Sequence, residues 1–210
     1  MNKHLLILGA TGLVGQQLLQ QALQDPTVSR VTAPTRKPLP PHAKLDNPIV
    51  DFAALPEQAA WWQADAMLCA LGTTIRLAGS QENFTRIDHD YVIRAAQLAL
   101  NAGCKTMVYN SSLGANPNAS SFYLRSKGQT EVALQALGFT SLNIVRPSLL
   151  GGKRSEHRPG EAIALRVFSC LEPLIPRKYR IVPASRVALS MHKLASDARA
   201  GLQIIESQEI

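Results

Sequence analysis

The chain has few cysteines and few aromatic residues. Its three cysteines, Cys69, Cys104 and Cys170, are odd in number and far apart, and no C-x-x-C pair is present. This spacing offers no cysteine pair to a metal or a redox couple, and it is typical of reduced thiols in a core. Aromatic residues make up 5% of the chain, and no aromatic platform or base-reading motif accompanies its basic residues. We therefore expect no metal and no nucleic-acid partner.

Long apolar runs are also missing. No run approaches the roughly 18 residues that span a bilayer, and glycines interrupt the N-terminal apolar stretch before a set of glutamines. We expect no signal peptide, no membrane anchor and a cytoplasmic location. The length of 210 residues and the hydrophobic content of 46% favour one large globular domain over residues 1–210.

Acidic residues are scarce toward the C-terminus. Residues 1–145 carry 11 basic and 9 acidic groups, whereas residues 146–210 carry 11 basic and 6 acidic groups, within a net charge of +7. Such an excess is able to attract an anionic substrate or an acidic protein partner. A solvated basic surface explains it equally simply, and we favour that interpretation.

A glycine-rich turn follows the first apolar run of the chain. His4 to Leu8 predicts a buried strand, Gly9, Gly12 and Gly15 follow it, and a helix is predicted over 13–24. Unpaired amides and the positive end of the helix dipole at such a turn bind a dinucleotide diphosphate. The alternative is a strand-to-helix turn without a ligand. The predicted cofactor contacts in this turn are Gly9, Thr11, Gly12, Leu13, Val14 and Gly15.

Predicted strands and helices alternate along the chain. The strands are 4–8, 30–34, 48–50, 66–70, 106–110 and 141–145, and the helices are 13–24, 55–63, 82–101, 123–137 and 185–196. This alternation predicts an α/β fold, a doubly wound parallel sheet of Rossmann-like type, with the loops of the site at one sheet edge. Residues 36–48 are rich in proline and predict an extended loop. The substrate pocket is expected mainly from residues 148–185, including a helix from Glu161 to Leu171.

No acidic residue follows the second predicted strand, where an acid binds the ribose of NAD. The sequence there is Thr35-Arg36-Lys37. We expect NADPH as the cofactor, with Arg36 on the 2′-phosphate and Lys37 beside it; the alternative is a basic loop start without a ligand. Asp51 and Phe52 are placed to contact adenine, although Asp51 is equally suited to cap the next helix.

Further cofactor contacts are expected after the fourth predicted strand, where a glycine permits close approach. These residues are Leu71, Gly72, Thr73 and Thr74. Nearby, Asp88-His89-Asp90 does not suit a metal, because adjacent helical residues point in different directions. We expect it to be a solvated or interface-facing surface.

Tyr123 and Lys127 stand four residues apart on a predicted helix and therefore share one face. An ammonium beside a phenol favours the phenolate, so that the phenol serves as a general acid or base. Ser111 and Ser112 end the preceding strand, where a hydroxyl orients a carbonyl oxygen. The predicted catalytic set is Ser112, Tyr123 and Lys127, with Ser111 as the second choice for the serine and as a cofactor contact beside Tyr123 and Lys127.

At this point the chain resembles the short-chain dehydrogenase/reductase superfamily, and within it the atypical branch that contains the Tat-interacting oxidoreductase family. The matching stretches extend over nearly the whole chain: Gly9 to Gly15, Cys69 to Thr74, Asp88 to Tyr91, Gly103 to Lys105, Ser111-Ser112, Tyr123 to Lys127, Arg146-Pro147 and Arg158 to Glu161. The resemblance implies a Rossmann-type fold, NADPH binding and a tyrosine-dependent active site. It also implies that Arg146, Pro147 and Ser148 lie beside the nicotinamide, although Pro147 is also explained as a strand terminator. Arg158 to Glu161 is suited to begin a helix that borders the substrate pocket, although helix initiation alone explains the stretch and is the interpretation that we favour.

The expected function is hydride transfer between NADPH and a small carbonyl or alcohol substrate. The alternative is a regulatory protein that senses NADPH and acts on a protein partner without turnover. A third class, nucleotide-sugar modification, suits the fold but asks for more than the roughly 60 residues that follow the sixth predicted strand.

Overall fold

Parallel strands form a central sheet in the computed structural model, which describes residues 2–151 and 176–210. Within these ranges the sheet has seven strands, ordered β3-β2-β1-β4-β5-β6-β9, and every neighbouring pair is parallel. Their bounds are β1 Lys3–Leu8, β2 Val28–Thr32, β3 Leu45–Asp46, β4 Ala66–Cys69, β5 Thr106–Asn110, β6 Ser141–Arg146 and β9 Gly201–Glu206. A separate small parallel pair joins β7 Leu150–Gly151 to β8 Val182–Pro183.

Helices cover both faces of the sheet. They are α1 Leu13–Gln24, α2 Ile75–Ala78, α3 Gln81–Thr85, α4 Tyr91–Asn101, α5 Phe122–Leu137 and α6 Ala184–Asp197, with a π-helical segment Arg86–Asp90 between α3 and α4. In the described ranges, three short 3-10 helices occupy Ala60–Trp62, Arg177–Tyr179 and Ser207–Glu209. No helix in the described ranges is both long enough and apolar enough to cross a membrane.

The core consists of two layers, because successive side chains of a strand point to opposite faces. In β1, Leu5 and Ile7 pack with α1 and α6, whereas Leu6 and Leu8 pack with α4 and α5. All four side chains of β4 are buried, as expected of a central parallel strand. The sheet therefore presents the carboxyl ends of β1, β4, β5 and β6 side by side at one edge, where the chain changes direction on either side of β1.

The predicted doubly wound α/β fold is confirmed, with differences in three segments. Residues 55–63 were predicted to be helical, and this is wrong: only Ala60–Trp62 forms a turn of 3-10 helix, and the indole of Trp62 donates to the Pro56 carbonyl. The predicted strand 48–50 is reduced to a bridge between Thr35 and Ile49, and β3 lies inside the predicted loop 36–48. The edge strand β9 was not predicted.

The predicted helix over 82–101 is helical throughout. It changes to a π-helix at Arg86–Asp90, where backbone hydrogen bonds join residues five positions apart. Helix 161–171 and the stretch Arg158 to Glu161 lie outside the described residues, as does most of the proposed pocket segment 148–185.

Candidate functional site

A cavity of about 550 Å³ opens at the carboxyl edge of the sheet. This volume is in the range of small-molecule and cofactor sites. The cavity brings together fourteen of the residues predicted for cofactor binding or catalysis: Thr11, Gly12, Leu13, Val14, Leu71, Gly72, Thr73, Thr74, Ser111, Ser112, Tyr123, Lys127, Pro147 and Ser148. Five separate segments of the sequence therefore meet around one space.

The glycines of the first turn differ in what they do. A Cβ on Gly9, whose φ is +80°, would lie 2.5 Å from the Leu71 nitrogen, and one on Gly15 would lie 1.9 Å from the Gly9 oxygen. These two glycines are therefore required by packing, and neither lines the cavity in the described part of the chain. A Cβ on Gly12 would lie 3.3 Å from the Gly9 oxygen and 4.0 Å from the Ala70 oxygen, so packing restricts this glycine less than the other two. Gly12, unlike Gly9 and Gly15, lines the cavity in the described part of the chain.

The start of α1 lies at the cavity without a cap. No side chain caps Gly12, and the first turn contains no acidic residue. The first amides of a helix lack partners within the helix, and the helix dipole is positive at that end. The turn therefore fits an anionic diphosphate without the help of a basic side chain.

The loop after β4 is held from behind by Asp88. The Thr73 amide donates to Asp88 Oδ2 at 2.7 Å, and a Cβ on Gly72 would lie 3.1 Å from Asp88 Oδ1. The Thr74 hydroxyl accepts from the Leu77 amide and so begins α2. This part of the cavity wall is therefore fixed by hydrogen bonds.

Lys127 is buried at the base of the cavity. Its Nζ lies 3.1 Å from Asp88 Oδ1, donates to the Tyr109 hydroxyl at 3.1 Å and approaches the Asn110 carbonyl oxygen at 3.5 Å. Burial acts to lower the pKa of Lys127, but the nearby Tyr109 and Asp88 outweigh it and raise that pKa. Lys127 therefore remains an ammonium group throughout the neutral pH range.

The partners of Lys127 respond to the same burial. Burial raises the pKa of Tyr109 to about 12, against the opposing charge of Lys127. It also raises the pKa of Asp88, which Lys127 and the Thr73 amide only partly offset. Both groups are buried within the described part of the chain.

The prediction that Asp88 lies on a solvated or interface-facing surface was wrong. The Asp88 side chain is 1% exposed and paired with Lys127, whereas Asp90 is exposed. The sequence contained a signal: Asp88 comes four residues after Phe84 and four before Val92, and both of these are fully buried. Residues at this spacing share one helix face.

Tyr123 lies in the first turn of α5 and is 38% exposed. Its ring meets Phe84 edge to face, with ring centroids 6.0 Å apart. Because the phenol lines the cavity one turn from Lys127, it is reachable by a bound ligand. Ser112 lines the same cavity.

Five further predicted contacts do not line the cavity within the described residues. Arg36 and Lys37 are exposed on the loop after β2. Asp51 accepts a hydrogen bond from the Ala53 amide at 2.9 Å within a turn, and the helix that it was alternatively expected to cap does not form at that place. Phe52 is buried and stacked on Tyr91.

Arg146, the fifth of these residues, points away from the cavity. Its guanidinium pairs with Glu131 and Glu206 instead of facing a nicotinamide. Pro147 and Ser148, which follow it, do line the cavity.

Several cavity residues were not predicted, namely Gln16, Arg76, Leu77, Asp88, Asn110 and Leu150. Asn110 has a buried Oδ1 without a hydrogen-bond partner in ranges 2–151 and 176–210, which suits a donor group on a ligand. Its position directly before Ser111 was the available signal. In the same ranges, no group of three or more His, Cys, Asp or Glu side chains is arranged to hold a metal ion.

No protein-family model matches the chain. Protein HTATIP2 of Rattus norvegicus is 35% identical over 214 aligned residues, which cover 100% of this chain and 88% of that protein. The mitochondrial protein FMP52 of Eremothecium gossypii is 33% identical, with 98% and 94% covered. The prediction of a cytoplasmic location is contradicted by such fungal relatives, which are named as mitochondrial proteins.

Solved structures with low sequence identity share the fold. MoeE5 in complex with UDP-glucose and NAD superposes with a TM-score of 0.74 at 18% identity, covering 96% of this chain and 74% of MoeE5. A putative NAD-dependent epimerase/dehydratase from Bacillus halodurans superposes with a TM-score of 0.70 at 18% identity, covering 99% and 98%.

Proposed function

The chain belongs to the family of protein HTATIP2, and from this premise we propose that it is an NADPH-dependent oxidoreductase acting on a small carbonyl or alcohol substrate. One observation carries the proposal: a single cavity is lined both by the uncapped start of α1 and by Ser112, Tyr123 and Lys127. A dinucleotide site and a proton-transfer site therefore adjoin each other.

The first turn would bind the dinucleotide through backbone amides. Gly12, Leu13 and Val14 line the cavity at the positive end of α1, which suits the diphosphate. Neighbouring folds have been solved with NAD, which supports a nicotinamide dinucleotide as the class of cofactor. The preference for NADPH rests on Arg36 and Lys37, which are exposed beside β2.

When bound, the nicotinamide supplies a hydride to the carbonyl carbon, or accepts one from the alcohol. Tyr123 would donate its phenolic proton to the carbonyl oxygen, so that hydride and proton together convert C=O to an alcohol. The Ser112 hydroxyl would donate a hydrogen bond to the same oxygen and orient it. Lys127 would favour the phenolate that Tyr123 forms on giving up its proton, and the reverse reaction uses the same groups.

Asp88 would act as a positioning residue for Lys127. Its carboxylate lies 3.1 Å from the ammonium and also accepts from the Thr73 amide, so it ties Lys127 to the loop after β4. A buried ammonium without a partner is costly, and this pairing keeps it charged.

The environment of Lys127 also supports the alternative function, a sensor that binds NADPH without turnover. Three protein oxygens, on Asp88, Tyr109 and Asn110, already surround its Nζ. An ammonium engaged in this way has less of its charge available to Tyr123.

Thermal unfolding with NADPH or NADH tests the binding half of the proposal, because a ligand that binds the folded state raises Tm by mass action. We expect a larger Tm increase with NADPH. No Tm increase with either coenzyme would contradict the proposal.

A panel of carbonyl compounds, followed at the nicotinamide absorbance, tests the chemistry. We expect turnover that falls by about 100-fold or more in Tyr123→Phe, as removal of a general acid predicts. The exposed Tyr179→Phe is the matched control and should retain the wild-type rate. NADPH binding without turnover of any carbonyl would favour the sensor, and equal rates in Tyr123→Phe and wild type would remove Tyr123 from the mechanism.

A further inference from the structure

Two adjacent serines stand just after β5, and their hydroxyl groups have different surroundings. The Ser111 hydroxyl donates to Glu131 Oε1 at 2.5 Å, and both residues are buried. Within the described ranges, the Ser112 hydroxyl has a single long contact, 3.5 Å, with the carbonyl oxygen of its neighbour Leu113. Ser111 is therefore engaged inside the protein, whereas Ser112 keeps its hydroxyl for a ligand in the cavity.

Glu131 is held in turn by Arg146. The Arg146 Nε donates to Glu131 Oε1 at 2.9 Å, and Nη2 donates to Oε2 at 2.5 Å. The same guanidinium donates through Nη1 to Glu206 Oε1 at 3.0 Å. Two parallel bonds between a guanidinium and a carboxylate fix direction as well as distance. The four side chains therefore connect the carboxyl ends of β5, β6 and β9 to α5.

Backbone hydrogen bonds hold the peptide on either side of Ser112. The Ser111 amide donates to the Val145 carbonyl at 2.7 Å, and the Leu113 amide donates to the Pro147 carbonyl at 2.8 Å. Val145 and Pro147 flank Arg146. The residue that binds Glu131 therefore lies in the same backbone segment that supports Ser112. A change at Glu131 is therefore transmitted to Ser112 by two routes, through the Ser111 side chain and through Arg146.

We propose that Glu131 is a positioning residue that holds Ser111 and Arg146 and thereby sets the place of the Ser112 hydroxyl in the cavity. The proposal rests on the proposed oxidoreductase function and deepens it. Glu131 is not among the described residues that line the cavity, so it acts through others and does not touch the substrate. It also decides between the two serines, since the hydroxyl that Glu131 binds is the one withdrawn from catalysis.

A double-mutant cycle between Glu131→Ala and Ser112→Ala tests this link through turnover. We expect Ser112→Ala to lower kcat by about 100-fold, as loss of an oxyanion donor does. Glu131→Ala should lower kcat by about tenfold with an unchanged KM for NADPH, through misplacement of that donor. The double variant should be no slower than Ser112→Ala, because Glu131 acts through Ser112. A double variant slowed by the product of the two single losses would overturn the proposal.

Three further variants sharpen the cycle. Glu131→Gln keeps an acceptor for Ser111 and should recover most of the kcat that Glu131→Ala loses. Ser111→Ala removes the same contact without disturbing the ion pair, and it takes the place of Glu131→Ala in the cycle should that variant not fold. Glu57→Ala breaks an exposed ion pair with Arg94 and should match wild type.

Hydrogen exchange at the Leu113 amide tests the positioning without turnover. Because this amide donates to the Pro147 carbonyl, Glu131→Ala should speed its exchange by about tenfold, while the Val108 amide inside β5 should be unchanged. Equal Leu113 exchange in wild type and variant would overturn the proposal. If no carbonyl is turned over at all, the proposed function fails, whereas this result still decides the role of Glu131.

Discussion

Helix α5 carries two buried charges of opposite sign, and different parts of the fold neutralise them. Lys127 is paired with Asp88 from the π-helical segment, and the two side chains are 5% and 1% exposed. Glu131, one turn later, is paired with Arg146, whose side chain is 20% exposed and is shared with the more exposed Glu206. The first pair is closed off from water and lies at the cavity, whereas the second reaches solvent and ties strand ends together.

The difference in burial indicates that removing one partner destabilises the fold more in the Lys127–Asp88 pair than in the Glu131–Arg146 pair. When its partner is removed, a fully buried charge is left without solvation by water. A guanidinium at the surface retains water and, here, a second carboxylate. Asp88 and Tyr109 therefore keep Lys127 charged in spite of its burial and hold it at the cavity. The Glu131–Arg146 pair instead ties strand ends together.

The largest effect should come from breaking the Lys127–Asp88 pair, here called the inner pair. Lys127→Met leaves the Asp88 carboxylate buried and unpaired, and we expect a loss of about 3–5 kcal/mol in the free energy of unfolding, measured by urea denaturation. The exposed Lys193→Met is the matched control and should change stability by less than about 0.5 kcal/mol.

The double variant Asp88→Asn/Lys127→Met checks the cause of this loss. Its amide oxygen still accepts from Thr73 without a charge, so stability should be regained relative to Lys127→Met alone. A double variant less stable than Lys127→Met would show that Lys127 is held by something other than Asp88.

The next effect is a pH dependence of folding stability that arises from Tyr109, beside the inner pair. The pKa of Tyr109, beside Lys127, is raised by burial from 10.0 to about 12, so the folded protein keeps this proton longer than the unfolded chain. This contribution is fully present below pH 10, and about 3 kcal/mol is lost as pH rises from 10 through 12. The free energy of unfolding of Tyr109→Phe should therefore fall less steeply over this window, by denaturation at stepped pH. Identical slopes of unfolding free energy against pH in wild type and Tyr109→Phe would contradict the role of Tyr109 beside Lys127.

A smaller effect should follow from breaking the Glu131–Arg146 pair, here called the outer pair. Glu131→Ala leaves Arg146 with Glu206 and with water, so we expect a loss of about 1–3 kcal/mol in the free energy of unfolding, below that of Lys127→Met. Urea denaturation of the two variants under one condition gives the order. The comparison fails if the outer pair is the costlier one to break.

The smallest effect on stability should come from a cation outside both pairs. Arg36 is exposed, so Arg36→Ala should change the unfolding free energy by less than about 0.5 kcal/mol. The same variant should weaken NADPH binding by about tenfold, because it removes a charged contact to the 2′-phosphate, and leave NADH binding unchanged. Calorimetric titration of both coenzymes checks this, and equal losses for both would assign Arg36 no role in cofactor choice.

Local patterns predicted the main elements of the fold and fourteen of the residues that line the cavity in the described part of the chain. The glycine turn, the Tyr123–Lys127 spacing and the strand ends carry their signal within a few residues. The helix predicted over 55–63 failed because Pro56 and the Trp62 side chain support a loop there. The edge strand β9 depends on pairing with β6, a contact between residues 60 positions apart that no local pattern announces.

The ionic partners were harder to predict for the same reason. The spacing of Asp88 from Phe84 and Val92 indicates its burial, but its pairing with Lys127 joins a π-helical segment to a different helix, and no local spacing indicates that contact. The family resemblance implied that Arg146 lies beside the nicotinamide, but its side chain pairs with Glu131 and Glu206. Which of two charged groups finds the other is decided by the packed fold.

Calorimetric titration of NADPH into the wild-type protein and Gly12→Ala tests the central claim, that the cavity is a dinucleotide site built on the start of α1. We predict one NADPH bound per chain and clearly weaker binding to Gly12→Ala, because the added methyl group takes up space at a residue that lines the cavity. Within the protein this methyl group would lie 3.3 Å from the Gly9 oxygen and 4.0 Å from the Ala70 oxygen. No heat with either NADPH or NADH, or equal NADPH affinity in the two proteins, would contradict it.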